Sequence, residues 1–578
     1  MQQKADRESM TERDNAGEKR RGSDYLYEAL VDSGIKILVG LPGTQTLPLD
    51  RTVAERDEMQ YVMARHETAI PHIAWGYYES GGDIAATITI PGPGETNAMH
   101  GLKNAFNDCV PIVHISADSD PDDRGKSPIH ELEPETFDHV VKSNYRIERS
   151  VDFLGKIRDG IETAQTPPFG PIRLGIPSSL LDSEFTTMDG IASSSGTSTT
   201  YENEYQMAVE RLNDAERPVV YIGGGARRST GSKSAIKNLV NHLNSPVVST
   251  YKGKGVFPED DPRFMGVTGS HLPAGAKDVL RSADTVLALG TDFDGVTTSN
   301  WALPLGDTLI HVNIDMSDTN VAYSTDITLV DDVAKAAEKL SDAVRDKQQS
   351  QLGWDGANIA TDVRNEYFKE LDKKGLFASD GLINTPQVLQ TLREILPRET
   401  IVTTDVGGFR LWAAQVFESY DQNTYITAGS WGGMGVGLPA AIGAQLANPE
   451  RPVVALTGDG SLMMCIQELH TAVEYDLDLT TIVFNNSDYG VISKSPEIDQ
   501  YTEGHQFQWS SPDFATIAEG FGCCSDSVET ISEVRDLVTA ALTHRSGPEL
   551  IDIQVDPSEP TAAAAAEYTS SFDPQEYE

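Results

Sequence analysis

Short runs of β-branched and other apolar residues alternate along this chain with longer segments whose apolar residues recur at helical spacing. The strand candidates form three groups, namely KILVG, AATITI, PIVHIS and PIRLGI, then PVVYI, SPVVSTY, TVLALG and LIHVNID, then TIVTTD, RPVVALTG, LTTIVFNN and ELIDIQV. Strands that alternate with helices build parallel sheets. The pattern therefore predicts an α/β protein of three consecutive doubly wound parallel-sheet domains.

Polar stretches separate these groups and set the expected domain boundaries. At 578 residues the chain is too long for one hydrophobic core. We expect domains at 24–183, 206–342 and 381–556, with the polar stretch DGIASSSGTSTTYENE as a linker and the charged segment 343–380 as helix and connector. The polar ends, 1–23 and 557–578, are predicted to be disordered tails.

The composition narrows the class of protein. Apolar residues make up 39% of the chain, yet no uninterrupted apolar run could cross a bilayer, and the polar start lacks the apolar segment of a secretory signal. We therefore expect a cytoplasmic protein without a membrane partner. The four cysteines show no metal-ligand spacing and are interpreted as reduced structural residues.

The net charge is strongly negative. The chain has 88 acidic and 45 basic residues, a formal charge of -43 spread over its whole length. This charge argues against a nucleic-acid partner. Because salt screens such self-repulsion, we expect a halophilic protein from a cytoplasm of high ionic strength, with an ordinary acidic enzyme as the alternative.

The segment 451–490 carries the clearest chemistry, since it reads strand, glycine turn, helix, strand and Asn-Asn turn. Gly458 and Gly460 let backbone approach an anionic group, and a helix from about Ser461 offers free N–H groups. Asp459 supplies a hard carboxylate oxygen. The segment therefore predicts a diphosphate site with a metal ion.

The chain returns beside its starting strand, so Asn486 can place its amide oxygen next to Asp459. Mg²⁺ prefers such oxygen ligands, completed by phosphate, water and a backbone carbonyl such as that of Asp488. The plainer alternative is that both motifs are ordinary turns. The glycine turn at 223–226 also has two interpretations, since it fits either a nucleotide site or a tight turn.

The segment with GDG and NN resembles the thiamine-diphosphate motif, and the likeness extends to the acetolactate synthase (acetohydroxyacid synthase) large subunit. The similar segments cover much of 24–556 and are GIKILVGLPG (34–43), RHETAIPHIAWGY (65–77), PGPGETNAMHGLKNAFNDCVPIVHI (91–115), KGKGVFPEDDP (252–262), TIVTTDVGGFRLWAAQVF (400–417) and TAGSWGGMGVGLPAAIGAQLANP (427–449). The resemblance implies a pyrimidine-binding first domain, a central domain and a diphosphate-binding third domain.

The resemblance also assigns roles to residues. It makes Glu67 the catalytic residue, which shares a proton with the cofactor's pyrimidine, whereas the residue alone reads as a solvated helix position. Met434 would lie beneath the bent cofactor, although it could also be a core methionine. The further cofactor contacts that it implies are Gly433, Gly435, Val406, Gly407, Gly408 and Tyr489.

Five positions depart from the family pattern. His130, Phe409, Tyr489 and Ser495 replace glutamine, histidine, glutamine and tryptophan, and Asp292 replaces an arginine that supports flavin. His130 is a possible substrate contact. An acidic residue beside a flavin diphosphate would repel it, so binding of FAD is doubtful.

The expected activity is thiamine-diphosphate- and Mg²⁺-dependent decarboxylation of a pyruvate-like 2-oxo acid, with carboligation to a second carbonyl compound. The alternatives are a 2-oxo acid decarboxylase or lyase without carboligation, and a non-catalytic homologue that binds the cofactor. The family shares each site between two subunits, which implies a homodimer or homotetramer. A regulatory small subunit is neither indicated nor excluded by the sequence.

Overall fold

A computed structural model describes residues 19–186, 201–345, 352–378, 381–495, 498, 507–544 and 547–567. The chain divides into two compact units, one comprising 1–78 with 82–197, the other 79–81 with 198–578. The first unit holds the first predicted domain. The second holds the other two.

The first domain is built on one six-stranded parallel sheet. In spatial order its strands are Gln60–Met63, Ile37–Gly40, Ala85–Thr89, Ile112–Ser116, Ile172–Gly175 and Ser143–Arg146. Its helices are Gly22–Asp32, Leu47–Ala54, Ala69–Glu79, Pro93–Asn107, Phe153–Gln165 and Ser178–Asp182, with 3-10 turns at Pro121–Asp123, Pro134–Phe137 and Ser150–Asp152. The first strand of this sheet along the chain, Ile37–Gly40, thus lies between the second, Gln60–Met63, and the third, Ala85–Thr89.

The central domain has a second six-stranded parallel sheet with a different strand order. Its strands run Phe264–Val267, Val247–Ser249, Pro218–Ile222, Thr285–Leu289, Leu309–Asn313 and Ile327–Val330. Its helices are Glu202–Asp214, Gly224–Arg228, Ser232–Leu243, Ala274–Ser282 and Val333–Ala343, with a 3-10 turn at Met316–Asp318. Here the first strand is flanked by the second and the fourth.

The third domain repeats the strand order of the first. Its parallel strands run Tyr425–Thr427, Ile401–Thr404, Val453–Gly458, Leu479–Asn485, Glu549–Gln554 and Cys524–Val528. Its helices are Thr385–Ile395, Gly408–Val416, Gly437–Ala447, Asp459–Leu462, Glu468–Glu474, Gly490–Ser493, Phe514–Phe521, Ile531–His544 and Ala562–Ala566. The predicted fold class, three parallel-sheet α/β domains, is confirmed.

Six strands of the three six-stranded sheets were not among the sequence candidates. They are Gln60–Met63, Ser143–Arg146, Phe264–Val267, Ile327–Val330, Tyr425–Thr427 and Cys524–Val528. All six lie at the edges of their sheets, where a strand pairs on one side only. Such strands do not have to be apolar throughout, and Ser143–Arg146 and Cys524–Val528 carry polar residues that hide the strand signal.

Part of each predicted tail has secondary structure in the described residues. At the start, Arg20–Arg21 pairs with Glu184–Phe185 and a helix begins at Gly22, inside the predicted tail 1–23. At the end, Thr561 caps the helix Ala562–Ala566, inside the predicted tail 557–578. Alanine has the highest helix propensity, and the buried face of this run packs on the third core, which explains the order. Residues 1–18 and 568–578 lie outside the described residues, as does most of the linker.

The connector contains the long helix Gly356–Lys373, as expected. Its first half packs on the core of the central domain through Ile359 and Val363. Its second half packs on the core of the third domain through Tyr367 and Leu371. The helix therefore belongs to the cores of both the central and the third domain and does not act only as a spacer.

The cysteines and the apolar helices were considered separately in the sequence. None of the four cysteines, all of them in the described ranges, forms a disulfide, and Cys465 and Cys523 are buried. Burial raises the pKa of the Cys523 thiol to about 11, so it stays protonated at neutral pH. In the described parts of the chain, every helix is too short or too polar to span a bilayer.

Candidate functional site

The third domain has its topological switch point between strands Ile401–Thr404 and Val453–Gly458. The chain leaves these neighbours toward opposite sides of the sheet, which opens a crevice beyond their carboxyl ends. The loops that follow them are 405–408 and 459–461. Both contain residues that the sequence singled out.

Asp459 and Asn486 each follow one of two adjacent strands. Gly458 pairs with Phe484 in register, so Asp459 comes directly after one partner and Asn486 two residues after the other. The Asp459 carboxyl is buried, which raises its pKa, while hydrogen bonds from the Gly460 N–H and from the side chains of Ser511 and Trp509 partly offset that effect. The Asn486 Oδ1 accepts the N–H of Asp488 at 3.1 Å, which holds the turn in shape.

Asp488 adds a buried oxygen to this cluster. One of its carboxylate oxygens accepts the Ser493 hydroxyl, while its Oδ1 is buried without a hydrogen-bond partner. An unpaired buried carboxylate oxygen is costly unless a ligand or water satisfies it. Oxygen donors of this kind suit a hard divalent cation. Within the described ranges, no group of three or more His, Cys, Asp or Glu residues could hold a metal alone, so a cation here would need other oxygen ligands.

The glycine turn has a shorter helix than expected. The helix begins at Asp459, not about Ser461, and its first turn ends at Leu462 before a break that lasts to Glu468. Gly460 donates its N–H to Asp459 Oδ1 at 2.9 Å. A Cβ at Gly460 would lie 2.7 Å from the Tyr489 ring, so glycine is required for this packing. A single helical turn has only a small macrodipole. Its free N–H groups would therefore contribute more than the dipole to the binding of an anionic group.

The loop that contains Val406, Gly407 and Gly408 forms the other wall of the crevice. Ser461 donates its hydroxyl to the Val406 carbonyl at 2.7 Å, which joins the two loops. Gly408 begins the helix Gly408–Val416, and a Cβ there would have no neighbour closer than 3.9 Å. Open space above a helix N-terminus is a suitable place for an anionic group.

Asp405, which the sequence analysis missed, ties this wall to the loop around Met434. Its fully buried carboxylate accepts the N–H groups of Val406 at 2.7 Å, Gly435 at 2.9 Å and Gly437 at 2.8 Å. Burial raises its pKa and these backbone donors lower it. Met434 and Gly433 are half-buried beside it. The letters TTDVGG hold no local signal for this role, because both glycine donors lie about 30 residues downstream.

The first domain has its own switch point, between strands Ile37–Gly40 and Ala85–Thr89. Glu67 lies in the turn before helix Ala69–Glu79 and is half-buried. Its Oε2 accepts the side-chain N–H of Asn97 at 3.0 Å. This bond fixes the direction of the Glu67 carboxylate. Asn97 was not among the site residues predicted from the sequence, although it lies in one of the family-like segments.

His130 lies at the same switch point in an unusual conformation. Its φ is +61°, and it packs against Gly92, whose φ is +63°. A Cβ at Gly92 would come 2.8 Å from the His130 carbonyl oxygen. The His130 Nδ1 lies 3.1 Å from the Gln45 side-chain nitrogen. Gln45, which was also missed, donates to Nδ1 and leaves the other ring nitrogen for a ligand.

A buried ion cluster anchors the turn that contains Gly92, against which His130 packs. Glu95 accepts the Arg173 Nε at 2.5 Å, and Arg173 also binds Asp118. Burial raises the pKa of Glu95, and Arg173 opposes the shift. Because Glu95 is buried and directly follows Gly94, the cluster holds the turn in place.

Three family models match consecutive parts of the chain. The N-terminal TPP binding domain of thiamine pyrophosphate enzymes matches 20–140, the central domain matches 205–340, and the C-terminal TPP binding domain matches 405–553. They fall on the three sheets in chain order. The chain belongs to the thiamine-diphosphate-dependent enzymes.

Curated relatives of this thiamine-diphosphate enzyme include acetolactate synthase large subunits. The protein of Haemophilus influenzae is 28% identical over 557 residues, which is 94% of this chain and 95% of the relative. Isozyme 3 of Escherichia coli is 28% identical over 93% of this chain and 95% of the relative. A probable large subunit of Methanocaldococcus jannaschii is 28% identical over 93% and 92%. The chain is thus similar to these subunits along nearly its whole length.

Two of the positions that depart from the family pattern have clear surroundings in this enzyme. Phe409 is buried and stacks on Phe484 with ring centroids 5.2 Å apart, directly beneath the glycine loops. Tyr489 stacks on Trp509 at 6.1 Å. Both replacements fill space with aromatic rings, so polar side chains of the family pattern are exchanged for packing here. Ser495 lies at the end of the described metal-loop segment.

The glycine turn of the central domain is explained by packing. Gly225 donates its N–H to the Gly290 carbonyl at 2.8 Å, and a Cβ at Gly223 would lie 2.2 Å from that oxygen. Asp292 reaches solvent, yet neighbouring protein atoms and the carboxylates of Asp294 and Asp318 raise its pKa to about 6. The close packing favours the tight-turn interpretation. The acidic surroundings disfavour a diphosphate near Asp292.

Proposed function

We propose that this enzyme uses thiamine diphosphate and Mg²⁺ to decarboxylate a pyruvate-like 2-oxo acid and to join the product to a second carbonyl compound, as its relatives' name suggests. The observation that carries the proposal is the cluster at two adjacent strand ends. Asp459 and Asn486 follow these strands, Asp488 comes two residues after Asn486 and has an unpaired buried carboxylate oxygen, and Gly408 has open space around its backbone. These oxygen donors fit Mg²⁺, and the helix N-terminus at Gly408 fits a diphosphate.

Each residue has a defined part in this proposal. Asp459, Asn486 and the backbone carbonyl of Asp488 would hold Mg²⁺, and 406–408 with 458–461 would surround the diphosphate. Gly433 and Gly435 would contact the aminopyrimidine, with Met434 beneath the thiamine and Tyr489 at the edge of the metal loop. When bound, the cofactor supplies a nucleophilic carbon and an electron sink. Glu67, oriented by Asn97, would hold the proton that it shares with a pyrimidine nitrogen.

A decarboxylase or lyase without carboligation is the second candidate. Its support is the altered substrate side, where His130 is oriented by Gln45. The other ring nitrogen of His130 would bind a substrate carboxylate, or would relay a proton from solvent to the product carbon and then regain it. Product analysis separates these two outcomes.

The proposal includes a homodimer or homotetramer, because the family resemblance implies that each site is shared between two subunits. It leaves out FAD, because Asp292, Asp294 and Asp318 place like charge where a diphosphate would need cations. It assigns the enzyme to a cytoplasm of high ionic strength on the basis of its charge of -43.

The test is to incubate the pure protein with thiamine diphosphate, Mg²⁺ and a panel of 2-oxo acids while CO2 and condensed products are both recorded. Carboligation predicts CO2 with a condensed product such as acetolactate, and the second candidate predicts CO2 with an aldehyde. Asp459→Ala and Asn486→Ala should each abolish Mg²⁺-dependent cofactor binding. Asp478→Ala is the matched control, since Asp478 accepts one N–H from Gly547 away from the site. Undiminished cofactor affinity in both site variants would refute the metal site.

A further inference from the structure

A short segment folds back on the metal loop after the chain has left it. This return segment, residues 507–511, pairs with the loop in antiparallel fashion through Asp488 and Gln508. Tyr489 donates its N–H to the Phe507 carbonyl at 3.2 Å, and Trp509 donates its N–H to the Ser487 carbonyl at 3.0 Å. The backbone of the return segment is therefore fixed on the backbone of the metal loop.

Two side chains of the return segment bind the same carboxylate oxygen. The Trp509 indole N–H and the Ser511 hydroxyl both donate to Asp459 Oδ2, each at 3.1 Å. The Ser511 hydroxyl also accepts the Ser487 hydroxyl at 3.0 Å, so a chain of hydrogen bonds joins the metal loop to Asp459. Stacking on Tyr489 holds the indole ring in place.

These bonds decide which oxygen is left for a cation. A carboxylate oxygen offers two lone pairs, and two donors occupy both lone pairs of Oδ2. Among the hydrogen bonds of the described residues, Oδ1 accepts the Gly460 N–H at 2.9 Å, which leaves one lone pair. The arrangement therefore turns Oδ1, and not Oδ2, toward a cation.

Both donors are uncharged, and this matters for metal binding. In the part of the chain that the structure describes, no Lys or Arg forms an ion pair with Asp459. An ammonium or guanidinium group there would neutralise the carboxylate and compete with the cation. An indole and a hydroxyl fix its direction and leave its negative charge available.

We propose that Trp509 and Ser511 are positioning residues that hold Asp459 Oδ2 and so direct Oδ1 to the divalent cation. This inference rests on the proposed Mg²⁺ site. It goes further by assigning the geometry of that site to a segment that begins beyond residue 506, which no sequence motif indicated. Binding of the cation, more than turnover at saturation, should depend on these two residues.

The experiment measures the affinity of the full-length protein for Mn²⁺ by electron paramagnetic resonance, in the presence of thiamine diphosphate and molar KCl. Trp509→Phe keeps an aromatic ring without the donor, and Ser511→Ala removes the hydroxyl. Each should weaken Mn²⁺ binding by about tenfold, since each loses a hydrogen bond to a charged acceptor. Turnover at saturating Mg²⁺ should stay within about twofold.

Two further variants separate orientation from general destabilisation. Ser511→Thr keeps the hydroxyl and should restore wild-type Mn²⁺ affinity. Trp301→Phe is the matched control, because the Trp301 indole donates to the Phe293 carbonyl at 3.1 Å in the central domain. That variant should bind Mn²⁺ like the wild type.

The outcomes distinguish this inference from the proposed function. Wild-type Mn²⁺ affinity in both Trp509→Phe and Ser511→Ala would overturn the inference, as would a Ser511→Thr variant as weak as Ser511→Ala. If Asp459→Ala loses Mn²⁺ while the two positioning variants keep it, only the inference fails. If Asp459→Ala itself binds Mn²⁺ like the wild type, the proposed metal site fails with it.

Discussion

Asp405 gives the sharpest stability prediction, because one buried carboxylate holds two loops of the site. Asp405→Ala leaves the N–H groups of Gly435 and Gly437 without their acceptor. An unsatisfied buried donor costs about 1–3 kcal/mol, so the expected loss is about 2–6 kcal/mol for the two. Val406 is half-buried and can bond to water, so its N–H is left out of this estimate. A loss of this size is a large part of the stability of an ordinary domain.

Asp405→Asn should be milder. Its amide oxygen can accept one of the two glycine N–H groups, while its NH2 group faces the other donor. We expect a loss of about 1–3 kcal/mol, with a weaker affinity for thiamine diphosphate because the loop around Met434 is released. Removing a buried charge offsets part of the loss, since burial raises the pKa of Asp405.

The assay is urea denaturation in molar KCl, followed by circular dichroism, with cofactor affinity measured by calorimetry. Asp478→Asn serves as the control, since Asp478 accepts a single N–H at 2.9 Å and is half-buried. The urea midpoint should be highest for Asp478→Asn, lower for Asp405→Asn and lowest for Asp405→Ala. If both Asp405 variants unfold and bind cofactor like the control, the reasoning is refuted.

Four further predictions concern catalysis, salt, pH and assembly. Glu67→Gln should bind cofactor but lose most turnover, because an amide cannot share the pyrimidine proton; near-normal hydrogen–deuterium exchange at the thiazolium carbon would contradict this. With a charge of -43, the melting temperature should rise steeply from low salt to molar KCl, and a flat profile would argue against the halophilic assignment. Burial raises the pKa of Glu559 to about 7 from 4.5, so the folded state binds the extra proton and stability falls as pH rises through that window. Glu559→Gln should remove this fall, at most about 3 kcal/mol, and an unchanged pH profile of the urea midpoint would exclude it. Mixed dimers of Glu67→Gln and Asp459→Ala subunits should regain activity, whereas verified mixed dimers without activity would mean that each site comes from one chain.

The sequence by itself determined the features that are local in the chain. Central strands such as Val453–Gly458 and Leu479–Asn485 are mainly apolar because both of their faces are buried, and that composition is visible without a structure. Asp459 and Asn486 are separated by a helical segment and one strand, so their positions after two adjacent parallel strands could be predicted. Family membership followed from the same segments.

Only the tertiary structure decided which groups orient those residues. Asp405 reaches Gly435, Asn97 reaches Glu67, Gln45 reaches His130, and Trp509 reaches Asp459. These partners are separated by about 30 to 85 residues, and a side chain of ordinary type has no local pattern that names a distant partner. The edge strands and the C-terminal helix were missed for a related reason: they are ordered by packing on a core, and that packing exists only after the chain has folded.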